Sequence, residues 1–151
     1  MKKITLFFAG AALLLLVSCG AKDELAFNNK LVNLQKGLLE EVNKMKNDTT
    51  GGPVETLKKM QGSIKAKITE LSAVKAPSDG DAFKSAMMDD FEAVNSSYDV
   101  LIKIANPDIS EADKTELTNE ITTWQSKIEV LDEKVITEQK KFASAHNIKL
   151  Q

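Results

Sequence analysis

The stretch Ser110–His146, SEADKTELTNEITTWQSKIEVLDEKVITEQKKFASAH, decides the fold class of this chain. Its apolar residues recur at steps of four and three, the spacing that places side chains on one face of an α-helix. They are Leu117, Ile121, Trp124, Ile128, Leu131, Val135 and Phe142. Ser110 stands three residues before Asp113, a variant of the capping box that starts helices. The stretch therefore predicts a helix over about 110–146, roughly 54 Å long at 1.5 Å per residue.

The same apolar spacing occurs in three shorter segments that precede this one. The intervening segments contain glycine, proline, asparagine and aspartate, which interrupt helices. Short connections favour antiparallel neighbours, so we expect an all-α, up-down-up-down four-helix bundle over 23–151. Because the fourth helix is the longest, its last turns should overhang the bundle or pair with the segment before the first helix. The predicted helices are about 23–46, 54–75, 81–105 and 110–146.

The N-terminus has the composition of a signal peptide. Lys2 and Lys3 precede an apolar run over 4–17, whose 14 residues are short of the about 20 that a membrane span needs. Leu16-Val17-Ser18-Cys19-Gly20 follows and resembles the lipobox of bacterial lipoproteins, in which a small residue precedes a cysteine linked to diacylglycerol. The resemblance implies cleavage between Ser18 and Cys19 and lipid attachment at Cys19. The signal peptide is then 1–18 and the lipidated tether is 19–22.

Over its whole length the chain looks like a group of small helical lipoproteins of Gram-negative cell surfaces. We therefore expect an outer-membrane protein of the cell envelope, held in the lipid by the acyl chains (palmitate among them) on Cys19. Lys22, Asp23 and Glu24 resemble a lysine-plus-acids signal that exports lipoproteins to the surface in one Gram-negative phylum; the alternative is a solvated tether. Thr49, within Asp48-Thr49-Thr50, resembles an acceptor for O-glycosylation in the same phylum.

Charge and cysteine content exclude several classes of function. Loss of Lys2 and Lys3 leaves 18 of 20 lysines against 22 acidic residues, a net charge of −4, and the chain has no arginine. This balance argues against nucleic-acid binding, which requires basic side chains to neutralise phosphates. With its one cysteine lipidated, the chain has no disulfide, thiolate metal site or cysteine nucleophile.

The residues that could support catalysis are few. His146 is the only histidine and lies near the C-terminus, where we expect a frayed helix end. No Glu-x-x-His pair of a di-iron bundle occurs in the sequence, so we predict no enzyme activity, no cofactor and no metal site. The acid pairs Glu40-Glu41, Asp89-Asp90 and Asp132-Glu133 point about 100° apart on a helix, and we interpret them as solvated faces.

Two other sets of residues suggest a binding surface. Gly37 and Gly62 fall at similar heights on the first two helices, so a shallow groove or a close backbone approach could lie between them. Phe91, Tyr98 and Trp124 could form an aromatic ligand box, but their spacing favours core packing.

The leading hypothesis is a lipid-anchored, non-enzymatic helical module that binds a protein or another envelope component. The alternative is a lipoprotein that binds a small ligand or metal in a pocket inside the bundle. A deep apolar cavity with convergent polar groups would favour the alternative, whereas a filled core with an exposed apolar strip would favour the interaction module.

Overall fold

The computed structural model describes residues 15–16, 22–46 and 51–150, and it is almost entirely helical. Its helices are α1 Lys22–Lys46, α2 Gly52–Ser72, α3 Asp81–Ile104 and α4 Glu111–Ala145. Two-residue strands, β1 Leu15–Leu16 and β2 Lys149–Leu150, pair antiparallel. The chain is therefore all-α apart from this short pairing, and each helix boundary lies within three residues of the predicted one.

Local sequence explains where α2 and α4 begin. Gly51 and Gly52 have φ angles of 92° and 80°, a left-handed backbone that suits glycine, and Pro53 follows in the first turn of α2. At α4 the Ser110 hydroxyl oxygen accepts the Asp113 backbone N–H at 3.1 Å and donates to the Asp113 carboxylate at 2.6 Å. The predicted cap at Ser110 is confirmed, although the Asp113 carboxylate bonds the hydroxyl of Ser110 rather than its backbone N–H.

Helices that are consecutive in the chain pack against each other, α1 on α2, α2 on α3 and α3 on α4. α3 packs on both α2 and α4, and among the described residues it contains more buried side chains than any other helix. Apolar side chains from all four helices form one continuous core. The largest fully buried apolar side chains are Tyr98, Phe83, Phe91, Leu31, Leu38, Ile64, Leu71, Met87 and Ile121.

The end of α4 is packed and does not overhang, and the strand that follows it pairs with Leu15–Leu16 in the segment before α1, in line with the second of the two expected outcomes. Phe142 is buried, with its ring centroid 5.2 Å from that of Phe27 in α1 and 6.2 Å from that of Phe83 in α3. Gln139 is buried and donates to Asn28 Oδ1 at 3.3 Å. The exposed part of α4 is its beginning, where Leu117 is the single apolar residue with a half-buried side chain before Ile121. None of the described helices is both long enough and apolar enough to cross a membrane.

Candidate functional site

An open groove of about 350 Å³ lies between α3 and α4. Asp89, Glu92, Ala93 and Ser96 line it from α3, and Trp124, Lys127 and Leu131 line it from α4. These residues share a face on each helix because they are spaced by three, four or seven positions. The groove is therefore a product of helix periodicity, and it presents an aromatic ring, apolar side chains and charges together.

Trp124 is the largest side chain in the groove, and two neighbours on its own helix hold it. Its indole N–H donates to Glu120 Oε1 at 3.4 Å, one turn earlier. The Lys127 ammonium lies 4.6 Å from the centre of the ring. A cation over tryptophan contributes about 0.5–1 kcal/mol at an exposed site. The ring is half-buried, because it also packs against the core, so one part of its surface remains open to the groove.

The charged groups of the groove are unequally paired. Asp89 accepts from Lys134 at 2.8 Å, an ion pair between α3 and α4 in which both side chains are about half exposed. Glu92 makes no ion pair with any residue of the described segments. The groove therefore contains an unpaired carboxylate, that of Glu92, and an aromatic ring, that of Trp124.

One buried carboxyl group, that of Asp90, lies next to the groove residue Asp89 in sequence, and it corrects the expectation that all three acid pairs are solvated. Asp90 is 1 % exposed, and its Oδ1 has no hydrogen-bond partner among the described residues. Burial, and to a smaller extent the charge of Asp132 on α4, raises the pKa of Asp90 to about 8. Burial and the charge of Glu129 raise the pKa of Asp132 to about 6. Asp90 is therefore mainly protonated at neutral pH.

Sequence reasoning missed Asp90 because it compared the residue only with its neighbour Asp89. Asp90 is three residues after Met87 and four before Val94, both of which are fully buried. Its position on this apolar stripe was the available signal. Asp89, 100° away on the same helix, does face the surface.

The three aromatic residues singled out from the sequence do not share one environment. Phe91 and Tyr98 are buried in the core, as the core interpretation predicts, and burial raises the pKa of Tyr98 to about 12. The Tyr98 hydroxyl lies 3.7 Å from Met60 Sδ. Trp124 instead lines the α3/α4 groove, so the core interpretation is only partly right for it.

Gly37 and Gly62 have no described contact in common. A Cβ atom built on Gly37 would lie 3.7 Å from Lys67 Cε, an ordinary van der Waals distance, and one on Gly62 would meet nothing within 4 Å. The packing of α1 and α2 at these two positions therefore does not require a glycine. The shallow groove expected between α1 and α2 stays a prediction.

His146 is half-buried and bonded, and does not lie at a frayed end. Its Nε2 lies 2.7 Å from Asp79 Oδ2 in the turn before α3, and its ring centroid is 4.6 Å from that of Phe142. Asp79 and Phe142 also line a smaller depression of about 180 Å³ beside this contact. The pair therefore ties the end of α4 to the turn between α2 and α3.

The three residues of the predicted export signal form the first positions of α1. Lys22 and Asp23 are exposed and Glu24 is half-buried, and the two acids lie in the first turn, where they complement the positive end of the helix dipole. Lys22 is therefore helical and not part of an extended tether.

Ser18, Cys19 and Thr49 lie outside the described residues. Within 22–46 and 51–150, no group of three or more His, Cys, Asp or Glu side chains is placed to hold a metal ion. No protein-family model, curated protein or solved structure matches this chain.

Proposed function

We propose that this protein is a lipid-anchored, non-enzymatic interaction module of the cell envelope that binds a protein or another envelope component at the α3/α4 groove. The observation that carries the proposal is the half-buried Trp124 in an open groove beside a core filled with apolar side chains. Tryptophan is enriched where proteins contact each other, because it combines a large apolar surface with a polar N–H.

The alternative, a ligand or metal pocket inside the bundle, has less support. The interior positions of the four helices are occupied by buried Leu, Ile, Phe, Met and Tyr side chains. The groove is instead at the surface, and it is only partly apolar. An open surface of this kind suits a protein segment better than an enclosed small molecule, which is usually buried over most of its area.

The anchoring part of the proposal comes from the sequence. Lys2, Lys3 and the apolar run before Ser18-Cys19 support a cleaved signal peptide with a lipid on Cys19. We place the protein at the outer membrane. The exposure of Lys22 and Asp23 at the start of α1 is compatible with their recognition as a surface-export signal.

An up-down-up-down arrangement of the four helices is part of the same proposal. Hydrogen bonds from Gln61 to Asn95 and Asp99, and from Lys84 to Ser72, support opposite directions for α2 and α3. The Asp89–Lys134 and Asp79–His146 pairs support the same for α3 and α4. This arrangement would put the beginning of α1 and the end of α4 at the pole nearest Cys19.

The anchor is tested by the mass of the mature N-terminus and by protease treatment of intact cells, with wild type and Cys19→Ala compared. We expect a diacylglycerol-modified Cys19 in the wild type and rapid cleavage from outside. An unmodified Cys19 would contradict the anchor, and a lipidated but protected protein would place it on the periplasmic face.

The interaction function is tested by site-specific photocrosslinking in intact cells. A photoreactive residue replaces Ser96, which lines the groove, or Ser126, an exposed residue of α4 that lies about 200° around the helix from Trp124. We expect one adduct of defined mass from position 96, its loss in the Trp124→Ala background, and no such adduct from position 126. Equal adducts from both positions, or none from position 96, would rule out the groove as the interaction site.

A further inference from the structure

We propose that the α3/α4 groove binds a lysine or arginine side chain of a partner protein, and that Lys127 takes this place in the free protein. The inference rests on the proposed interaction function and names the chemistry of the partner. It is carried by the cation that the structure already shows against the Trp124 ring.

The Lys127–Trp124 contact shows that the open face of the ring can accept an ammonium group. The two residues are three positions apart on α4, so the contact is local. Lys127 is exposed and makes no ion pair with any described residue. Among the described residues its ammonium is therefore held by the ring alone, so a competing cation can displace it without breaking an ion pair.

Each of the two helices supplies a carboxylate to the groove or to the indole. Glu92 lines the groove from α3, and Glu120 accepts the indole N–H on α4. Asp89 is engaged by Lys134 at 2.8 Å, so its charge is already compensated. When Lys127 moves away, the ring and the unpaired Glu92 carboxylate remain in the groove, and both attract a positive charge.

The rest of the lining suits the stem of a long basic side chain. Ala93 and Leu131 supply apolar contacts, and lysine and arginine lay their methylene groups along such surfaces while keeping the charged end hydrated. The net charge of −4 expected for residues 19–151 would also favour approach of a basic partner. The groove therefore offers apolar contacts to the methylene groups of a basic side chain, and an aromatic ring and a carboxylate to its charged end.

Trp124 is the only tryptophan in the chain, so its fluorescence reports on this groove alone. The probes are a blocked nine-residue peptide with three lysines among alanines and the same peptide with norleucine in place of lysine. The proteins are wild type, Lys127→Met, which keeps the stem and removes the charge, and Glu92→Gln. Lys114→Met is the matched control, since it removes the same charge from the exposed first turn of α4.

We expect a saturable fluorescence change with the lysine peptide and little change with the norleucine peptide. Lys127→Met should bind the lysine peptide about two- to fivefold more tightly, the ratio that 0.5–1 kcal/mol represents. Glu92→Gln should weaken binding, and Lys114→Met should leave it unchanged apart from a small general charge effect.

Equal responses to the two peptides would overturn the inference, and so would an unchanged affinity in Lys127→Met. A fluorescence response that needs phosphatidylethanolamine vesicles and is absent with the peptide would assign the groove to lipid headgroups and also overturn it. If position 96 still crosslinks to a partner while the lysine peptide has no advantage, the cationic inference fails and the interaction function stands. If position 96 gives no crosslink and the lysine peptide has no advantage, both proposals are contradicted.

Discussion

Replacement of Asp90 by asparagine should stabilise the protein and flatten its dependence on pH. The Asp90 carboxyl is 1 % exposed, and burial raises its pKa from 3.8 to about 8. The folded protein therefore binds this proton more tightly than the unfolded chain does. Its stability should fall as pH rises between about 4 and 8, at up to about 1.36 kcal/mol per pH unit.

The size of the effect follows from the two pKa values. At pH 7 the pH is about three units above the pKa of this carboxyl in the unfolded chain, so the group is ionised there. In the folded protein the same group is still mainly protonated. The difference is about 4 kcal/mol at 1.36 kcal/mol per unit, a large part of the 5–15 kcal/mol typical of a domain. The asparagine side chain of the variant would not titrate, but an unsatisfied amide donor would cost about 1–3 kcal/mol, so the slope is a firmer test than the absolute gain.

The assay is urea denaturation followed by helical circular dichroism at pH 6, 7 and 8. Wild type should lose about 2–3 kcal/mol across this range, and Asp90→Asn should change by less than about 1 kcal/mol. Because the pKa of Asp132 is about 6, this residue changes the stability of the protein mostly below pH 6, outside the measured range. Asp89→Asn is the matched control, because its half-exposed ion pair with Lys134 contributes only about 0–1 kcal/mol. Parallel pH curves for wild type and Asp90→Asn would refute the reasoning.

Four further substitutions test the packing and capping of the helices, and each is measured as a free energy of unfolding by urea denaturation at pH 6. Gly62→Ala should stabilise by about 1 kcal/mol, because the added Cβ meets nothing within 4 Å, whereas Gly80→Ala should destabilise, because its Cβ would lie 2.7 Å from Pro77 Cδ. Ser110→Ala should cost about 1 kcal/mol through loss of the α4 cap, and no change would contradict that cap. Phe142→Ala should cost about 3–5 kcal/mol, and a loss below about 1 kcal/mol would mean that the end of α4 is not packed as described.

The ends of the helices could be predicted from sequence because their signals are local. Gly51, Gly52 and Pro53 set the start of α2 by their own backbone preferences. Ser110 sets the start of α4 by a bond to a residue three positions away. Such signals need no knowledge of the rest of the fold, and the all-α class follows from the spacing of apolar residues alone.

The environment of the end of α4 could not be predicted because its partners are distant in the chain. Phe142 packs on Phe27, and Gln139 bonds Asn28, across more than 100 positions in each case. A C-terminal histidine looks unconstrained until the turn that carries Asp79 is placed beside it. These contacts depend on how the helices are arranged, which helix periodicity leaves open.

The groove follows from a difference between the two apolar rows of α4. The row Ile121, Ile128, Val135 and Phe142 is buried throughout, whereas the row Leu117, Trp124, Leu131 and Glu138 is half-buried throughout. In a symmetric bundle both rows would face the core. Here α4 packs mainly on α3, so the second row forms the edge of that contact and one wall of the groove. The residue types alone indicate this difference. A row that contains tryptophan and ends in glutamate suits a boundary with water better than an interior.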